Sequence, residues 1–414
     1  MANTIKTLSD GDITRKALSI LHNKLVFCKT INRQYDDRFA RSGAKNGGSL
    51  VIRNPNEFTV RSGAIMDAQD VTENTQTLTV ATQRGVDINF SSVELTLSMD
   101  DFTERILEPA MTRLAADLDS VVITASYKDV YNLVTTTIGT GPVIADIQSA
   151  RAKLSKGLAP TGDRICLMES LGMNTVVNEA KAYFAPATSI AKQYNTGVMG
   201  HLSGFDFYES EMVPSHTNGT RTTAGTCDLT GISNGDTTIA LVATTGETFT
   251  AGDILTIAGV YAVNPETKAP YAHLQQFVVR TAATAASSAI AALEIYPTIY
   301  KSGARQNVYN SAWTTTNAAT VVDVLGSTGK ASSIYPQHLA YHKDAFTLVT
   351  ADLELPQGVD FAAREVYDGI SLRVVRNYDI TNDKFPCRID VLFGHKTLRA
   401  GWACRILGAG DAST

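Results

Sequence analysis

Residues 98–122, SMDDFTERILEPAMTRLAADLDSVV, decide the architecture of this chain. Phe102, Ile106, Ala110, Leu114, Leu118 and Val122 recur every four residues, and Leu107, Met111 and Val121 widen that row into the apolar stripe of one long helix. Ser98 with Asp101 three residues later has the form of a capping box. Pro109 lies inside the pattern. It removes a backbone donor and crowds the preceding turn, so the helix is expected to bend there and not to stop.

Before this rod the period changes from helical to two-fold. Leu50 and Ile52, Phe58 and Val60, Leu78 and Val80, then Val86, Ile88 and Phe90 all fall on even positions, and Val93, Leu95 and Leu97 on odd ones. The pattern predicts strands of a long hairpin or meander over 49–97, with a bulge or kink at Ser91-Ser92 where the parity flips. The polar stretch Met66 to Gln76 reads as its loop or tip. Further upstream, Asp12 to Phe27 places Ile13, Ala17, Ile20, Leu21 and Leu25 at helical spacing. Asn32 to Gly48 has no apolar period of its own, so 1–48 reads as an arm laid over something else.

After the rod, helix and strand alternate. Val143 to Lys156 is a predicted helix ended by Gly157, Arg164 to Met168 a strand, Ser170 to Ala182 a helix and Phe205 to Val213 an extended segment. From about Thr217 to Ser333 the chain is dominated by Thr, Ala, Gly and Val. Short runs at Thr238 to Ala243, Asp253 to Ala258, Leu274 to Thr281 and Leu293 to Tyr296, separated by turn signals such as Asn234-Gly235, predict a small β-barrel of five or six strands. Beyond it, Leu339 to Ala345 and Phe346 to Leu355 read as helical or mixed, Ile370 to Arg376 and Arg388 to Phe393 as strands, and Leu398 to Leu407 closes the chain. The expected fold class is α+β, with an all-β module inserted in a mixed domain. Its parts are the arm (1–48), the extended hairpin (49–97), a peripheral domain on the long helix (98–142), a mixed domain (143–216 and 334–414) and the barrel (217–333).

Composition limits the function classes. With 414 residues and 44% hydrophobic content the chain can bury cores in more than one domain. Only 19% of residues are charged, a lean surface suited to a protein that covers itself with copies of itself. The formal net charge of -5 gives no global positive field to draw it onto nucleic acid. No stretch approaches the roughly 18 uninterrupted apolar residues of a membrane span, and no signal peptide is legible, so a cytoplasmic protein is expected. Cys28, Cys166, Cys227, Cys387 and Cys404 are odd in number and scattered, which predicts buried free thiols and neither disulfides nor zinc.

Ile13-Thr14-Arg15-Lys16-Ala17-Leu18-Ser19-Ile20-Leu21-His22-Asn23-Lys24-Leu25, then Asn32-Arg33-Gln34-Tyr35-Asp36-Asp37 and Ser42-Gly43-Ala44-Lys45, resemble the amino-terminal arm of podovirus-type phage coat proteins. The resemblance continues through Ile52-Arg53, Val60-Arg61-Ser62-Gly63, Asp100-Asp101-Phe102 to Pro109-Ala110, and His342-Lys343-Asp344-Ala345-Phe346 to Leu355-Pro356. It ends at Arg388-Ile389-Asp390-Val391-Leu392-Phe393-Gly394 and is weakest in the insertion. It implies the shell-forming fold shared by tailed phages and herpesviruses, with arm, extended loop, peripheral domain on a spine helix and axial domain interrupted by a barrel. It also implies a major capsid protein of a tailed double-stranded-DNA phage, a virion component assembled in the host cytoplasm. The implied partners are other copies in pentamers and hexamers, a scaffolding protein, a portal, decoration proteins and non-specifically held double-stranded DNA.

Catalytic constellations are hard to find. His338 and His342, four apart, could share a helical face as metal ligands, but no third ligand is evident and no Glu lies between them as in His-Glu-x-x-His. Gly139-Thr140-Gly141 is followed by Pro142 and reads as a turn. Asn218-Gly219-Thr220 fits a glycosylation pattern that would be silent in a cytoplasm. No enzyme, cofactor or metal is therefore expected. The residues that carry a functional reading are charged: Arg53, Arg61 and Arg84 on the extended hairpin could reach carboxylates of a neighbouring copy, with Asp100, Asp101, Glu104 and Glu108 at the head of the helix as the matching acids. The bland alternative is a solvated strand face. A tail-tube or decoration protein is the structural rival, though it gives no reason for the long helix, and a hydrolase with a carbohydrate-binding module lacks a nucleophile or acid pair.

Overall fold

The structure is a computed structural model and describes residues 10–36, 49–60, 63–66, 68, 73–91, 107–135, 141–180, 200–221, 225–311, 313, 319–323 and 334–408. Along the chain come helices α1 (Asp10–Lys24) and α2 (Phe27–Thr30) and strands β1 (Asn32–Asp36), β2 (Ser49–Arg53), β3 (Thr75–Thr79) and β4 (Thr82–Ser91). Helix α3 (Glu108–Ser126), β5 (Leu133–Val134), α4 (Ile144–Lys156), β6 (Arg164–Met168), α5 (Ser170–Ala180), β7 (His201–Leu202), β8 (Phe205–Glu209) and β9 (Ser215–Thr217) follow. The insertion holds β10 (Gly225–Cys227), β11 (Asp236–Val242), β12 (Thr248–Phe249), β13 (Ile254–Val263), β14 (Pro270–Val279), β15 (Ala283–Thr284), β16 (Ala289–Ile299), β17 (Val308–Tyr309) and β18 (Ala319–Asp323). The chain returns through β19 (Ile334–His342), β20 (Phe346–Ala351), β21 (Phe361–Tyr367), β22 (Ile370–Arg376), β23 (Lys384–Thr397) and β24 (Ala403–Leu407).

Two compact units result, the first from Met1–Asn54, Thr75–Val122 and Phe346–Leu398, the second from Pro55–Asn74, Ile123–Ala345 and Arg399–Thr414. In the first, a sheet runs β1-β20-β23-β22-β21. Strand β23 is 14 residues long, so it pairs with β22 and then β20 along one edge and with β4 along the other. Helix α1 packs on β21 and β22 through Ala17, Leu18 and Leu21, which are buried, while Arg15, Lys16 and Ser19 stay exposed. Glycine is needed twice where backbones cross. A Cβ at Gly85 would strike the Asp390 carboxylate and the Ile389 carbonyl, and one at Gly394 the Thr79 carbonyl.

The second unit holds a sheet of order β5-β24-β19-β6-β8-β7, with β9 pairing β19. Ile147, Ala150 and Leu154 of α4 and Met173 and Val176 of α5 share one core with Cys166, Met168, Ala340, Cys404 and Ile406. Asp146 caps α4 by accepting the Val143 N–H at 2.9 Å. The inserted strands close a ring, β13-β14-β16-β11-β10-β18 and back to β13, so the expected barrel of five or six strands has six. Leu241, Leu255, Ile257, Phe277, Leu293 and Val321 fill it.

Three expectations are corrected. Leu339 to Ala345 and Phe346 to Leu355 are not α-helical: Leu339–His342 end β19 and Phe346–Ala351 form β20, with one 3-10 turn, Lys343–Ala345, between them. All six residues of β20 and the last six of β19 are buried, and a strand covered on both faces shows the continuous apolar run that periodicity cannot tell from a helix. His338 and His342 consequently lie on a strand, where four residues span about 13 Å, too far to share a metal. Strand β4 is not part of the hairpin: only β2 and β3 pair as a ribbon, and β4 lies along β23 for ten registered pairs. Alternation identifies a strand without identifying its partner. Residues 92–106 lie outside the described part, and with them the helix start at Ser98 and the far side of the Ser91-Ser92 kink; Pro109 sits in the first turn of α3 as described.

Candidate assembly site

The ribbon β2–β3 pairs antiparallel from Ser49↔Thr79 to Arg53↔Thr75. Its inward row, Leu50, Ile52, Leu78 and Val80, packs with Val349, Ala351 and Leu392 in one cluster, so the predicted two-fold pattern is real and anchors the root of the ribbon. Beyond Arg53 the apolar side chains change environment. Phe58 is 59% exposed, Val60 99%, Ile65 88% and Met66 80%. Four large apolar residues open to water within nine positions make a surface that association would cover. Within the second unit Glu57 lies 3.9 Å from Lys268 in the β13–β14 turn.

Of the seven charged residues singled out, Arg53, Arg84 and Glu108 are described, and Arg61, Asp100, Asp101 and Glu104 lie outside the described residues. Arg53 is exposed at the end of β2. Arg84 Nε stands 3.5 Å from Asp117 Oδ2 on α3, and Glu108 3.5 Å from Lys24 Nζ on α1, so both have partners in their own chain. Each of these four side chains is close to half exposed. Such pairs contribute about 0.2–1 kcal/mol and exchange readily for another partner.

Buried charges hold the rest, and the sequence reading missed them. Asp119 on α3 accepts the N–H groups of Val26, Phe27 and Cys28 at 2.7, 3.3 and 2.8 Å, capping the short α2 from another element. Burial raises its pKa, and these backbone donors oppose the rise. The signal was available: Asp119 sits beside Leu118 within the apolar stripe, where a carboxylate requires donors. Asp390 is 1% exposed and receives Arg373 Nη2 at 2.7 Å and Arg388 Nε at 2.9 Å. His22 and Arg33 both meet Asp368 at 2.7 Å, fastening α1 and β1 to the β21–β22 turn. Burial alone would raise the Asp368 carboxyl, but the His22 hydrogen bond and the Arg33 guanidinium outweigh it and hold it below the usual carboxylate range.

All five cysteines are free and buried, as expected. Among the described residues no group of three His, Cys, Asp or Glu could hold a metal, and no helix is long and apolar enough to cross a membrane. His338 is fully buried, its Nδ1 accepting the Glu169 N–H at 3.3 Å, and desolvation lowers its pKa to about 4. Asn218 is 2% exposed.

The sequence model of the family described as P22 coat protein, gene protein 5, matches residues 13–403. No curated protein sequence matches the chain. Solved structures similar to it include the capsid of Ralstonia phage GP4 (6% identity, TM-score 0.47, 93% of this chain and 88% of that one). Others are the capsid of cyanophage P-SCSP1u (10%, 0.46, 93% and 88%) and Mycobacterium phage Che8 (13%, 0.45, 92% and 90%). With residues 13–403 of 414 matched, the chain belongs to the P22 coat protein family and is a phage major capsid protein, a subunit of the virion shell.

Proposed function

We propose that copies of this chain meet through the extended ribbon, whose exposed Phe58, Val60, Ile65 and Met66 are covered by a neighbouring copy when pentamers and hexamers close into a shell. That apolar tip is the observation that carries the reading, because isolated subunits rarely leave so much large apolar surface open. Around it, Arg53, Arg61 and Arg84 engage Asp100, Asp101, Glu104 and Glu108 of neighbours, the weak pairs of Arg84 with Asp117 and of Glu108 with Lys24 being exchanged on assembly. The segments 1–48, 49–97, 98–142, 143–216 with 334–414, and 217–333 act as arm, loop, peripheral domain, axial domain with returning peripheral-domain strands, and bridging barrel. Each contact is worth a few kcal/mol at most, and closure multiplies them while leaving errors correctable.

Assembly takes place in the host cytoplasm with a scaffolding protein and a portal, decoration proteins add to the finished shell, and double-stranded DNA is enclosed without sequence preference. The subunit's role is structural, with no chemistry of its own. Co-expression with scaffolding protein followed by sedimentation tests the contacts. Phe58→Asp with Val60→Asp, and separately Arg61→Glu with Arg84→Glu, should leave folded subunits at the top of the gradient while the unsubstituted chain runs as particles. Normal particles from both double variants would remove the contact assignment.

A further inference from the structure

An inserted domain joined by two linkers swings relative to its host unless a substantial interface fixes it. Here the barrel meets the rest of the second unit through two buried polar nodes. In the first, His216 Nε2 on β9 donates to Asp253 Oδ1 at 2.7 Å, and its Nδ1 faces the Tyr127 hydroxyl at 3.3 Å. Asp253 Oδ2 accepts the N–H groups of Thr250 at 2.7 Å and Gly219 at 3.2 Å. Imidazole and carboxylate are 2% and 1% exposed. Arg405, also buried, lies 5.7 Å from the Tyr127 ring and donates to the Gly252 carbonyl at 2.8 Å.

In the second node, the Gln276 side chain on β14 imitates a paired strand. Its Oε1 accepts the Leu133 N–H at 2.9 Å and its Nε2 donates to the Leu133 carbonyl at 3.1 Å. Lys153 Nζ then donates to Gln276 Oε1 at 2.5 Å and to the Leu133 carbonyl at 2.6 Å. Leu133 and Ile254, next in sequence to Asp253, belong to a single apolar cluster with Val278, Tyr335 and Leu407. A small displacement of the barrel would orphan several buried donors and acceptors together, each costly to leave unpaired, so the contact resists gradual slippage.

We propose that, within the second unit, the inserted barrel and the sheet β5-β24-β19-β6-β8-β7 with its helices are one rigid body, with Tyr127, His216 and Asp253 at one clamp and Lys153 and Gln276 at the other as positioning residues. The barrel keeps a single orientation to its host domain, and the adjustment that non-identical shell positions demand falls on other parts of the chain. The clamp is a property of the single subunit; only its bearing on the shell rests on the coat-protein reading. The native cysteines are buried, so spin labels at Ser149→Cys on α4 and Ala291→Cys on β16, both exposed, report the distance between the two bodies in the full-length free subunit by pulsed electron resonance. One narrow distance is expected. Gln276→Met and His216→Phe together should cost that narrow peak while hydrogen exchange of β10 and β11 stays slow, showing the barrel still folded. A broad distribution without the substitutions would overturn the proposal, as would an unchanged narrow peak in the double variant with the barrel intact.

Discussion

Asp119 places a carboxylate where the helix stripe would put an aliphatic side chain, and what makes it tolerable is three N–H groups of a segment more than ninety positions away. Asp119→Ala leaves those donors buried without an acceptor, each worth roughly 1–3 kcal/mol when unmet. A loss of about 3 kcal/mol in urea unfolding is expected, with earlier proteolysis of the chain before Ile31. Asp368 gives a pH dependence of definite sign. Its folded pKa is depressed, so the stability it contributes is present above the unfolded value and is lost as pH falls through the folded one. Acid unfolding curves should therefore show a component at low pH that Asp368→Asn lacks; identical curves would mean that the His22 and Arg33 contacts do not hold the arm. Burial pushes the thiols of Cys227, Cys387 and Cys404 up to about 11 and those of Cys28 and Cys166 upward as well. Native protein at pH 8 should leave Ellman's reagent unreacted, and all five thiols should react once unfolded.

Among the elements, α1, α4, α5 and the barrel strands β11, β13, β14 and β16 were legible because each has a buried face and a period to show it, whereas the short β10 and β18 were not read. Strands β19 and β20 were not, since covering both faces erases the alternation, and the run from Leu339 onward then resembles a helix. Pairing was hidden for a different reason. Nothing local to β4 says that its ladder partner is β23, about three hundred positions on. The closing run Arg388 to Gly394 acquires a physical reason only in three dimensions: Asp390 gathers Arg373 and Arg388 above Gly85, and Gly394 makes room for the Thr79 backbone. Gly394→Ala should lower stability by about 2–3 kcal/mol through overpacking against backbone that cannot yield. Arg84→Ala, losing only an exposed ion pair, should change stability by less than about 1 kcal/mol, and thermal melts of the two variants side by side would expose any reversal of that order.

At the level of the whole chain, the α+β class and the barrel follow from long patterned segments, and the coat-protein family from the named runs outside the insertion. The contact residues were the least legible part. An arginine on an exposed strand has the same sequence signature whether it meets a neighbour or water, and Arg84 and Glu108 rest on weak partners within their own chain. Exposure is what separates the two cases, and it singles out Phe58, Val60, Ile65 and Met66, of which the two-fold pattern had marked only Phe58 and Val60, as strand residues. The claim that this chain exists to join copies of itself is tested most directly by electron microscopy of particles from cells producing it together with a scaffolding protein. Closed icosahedral shells are predicted; open tubes, or monomers alone from a well-folded chain, would contradict it.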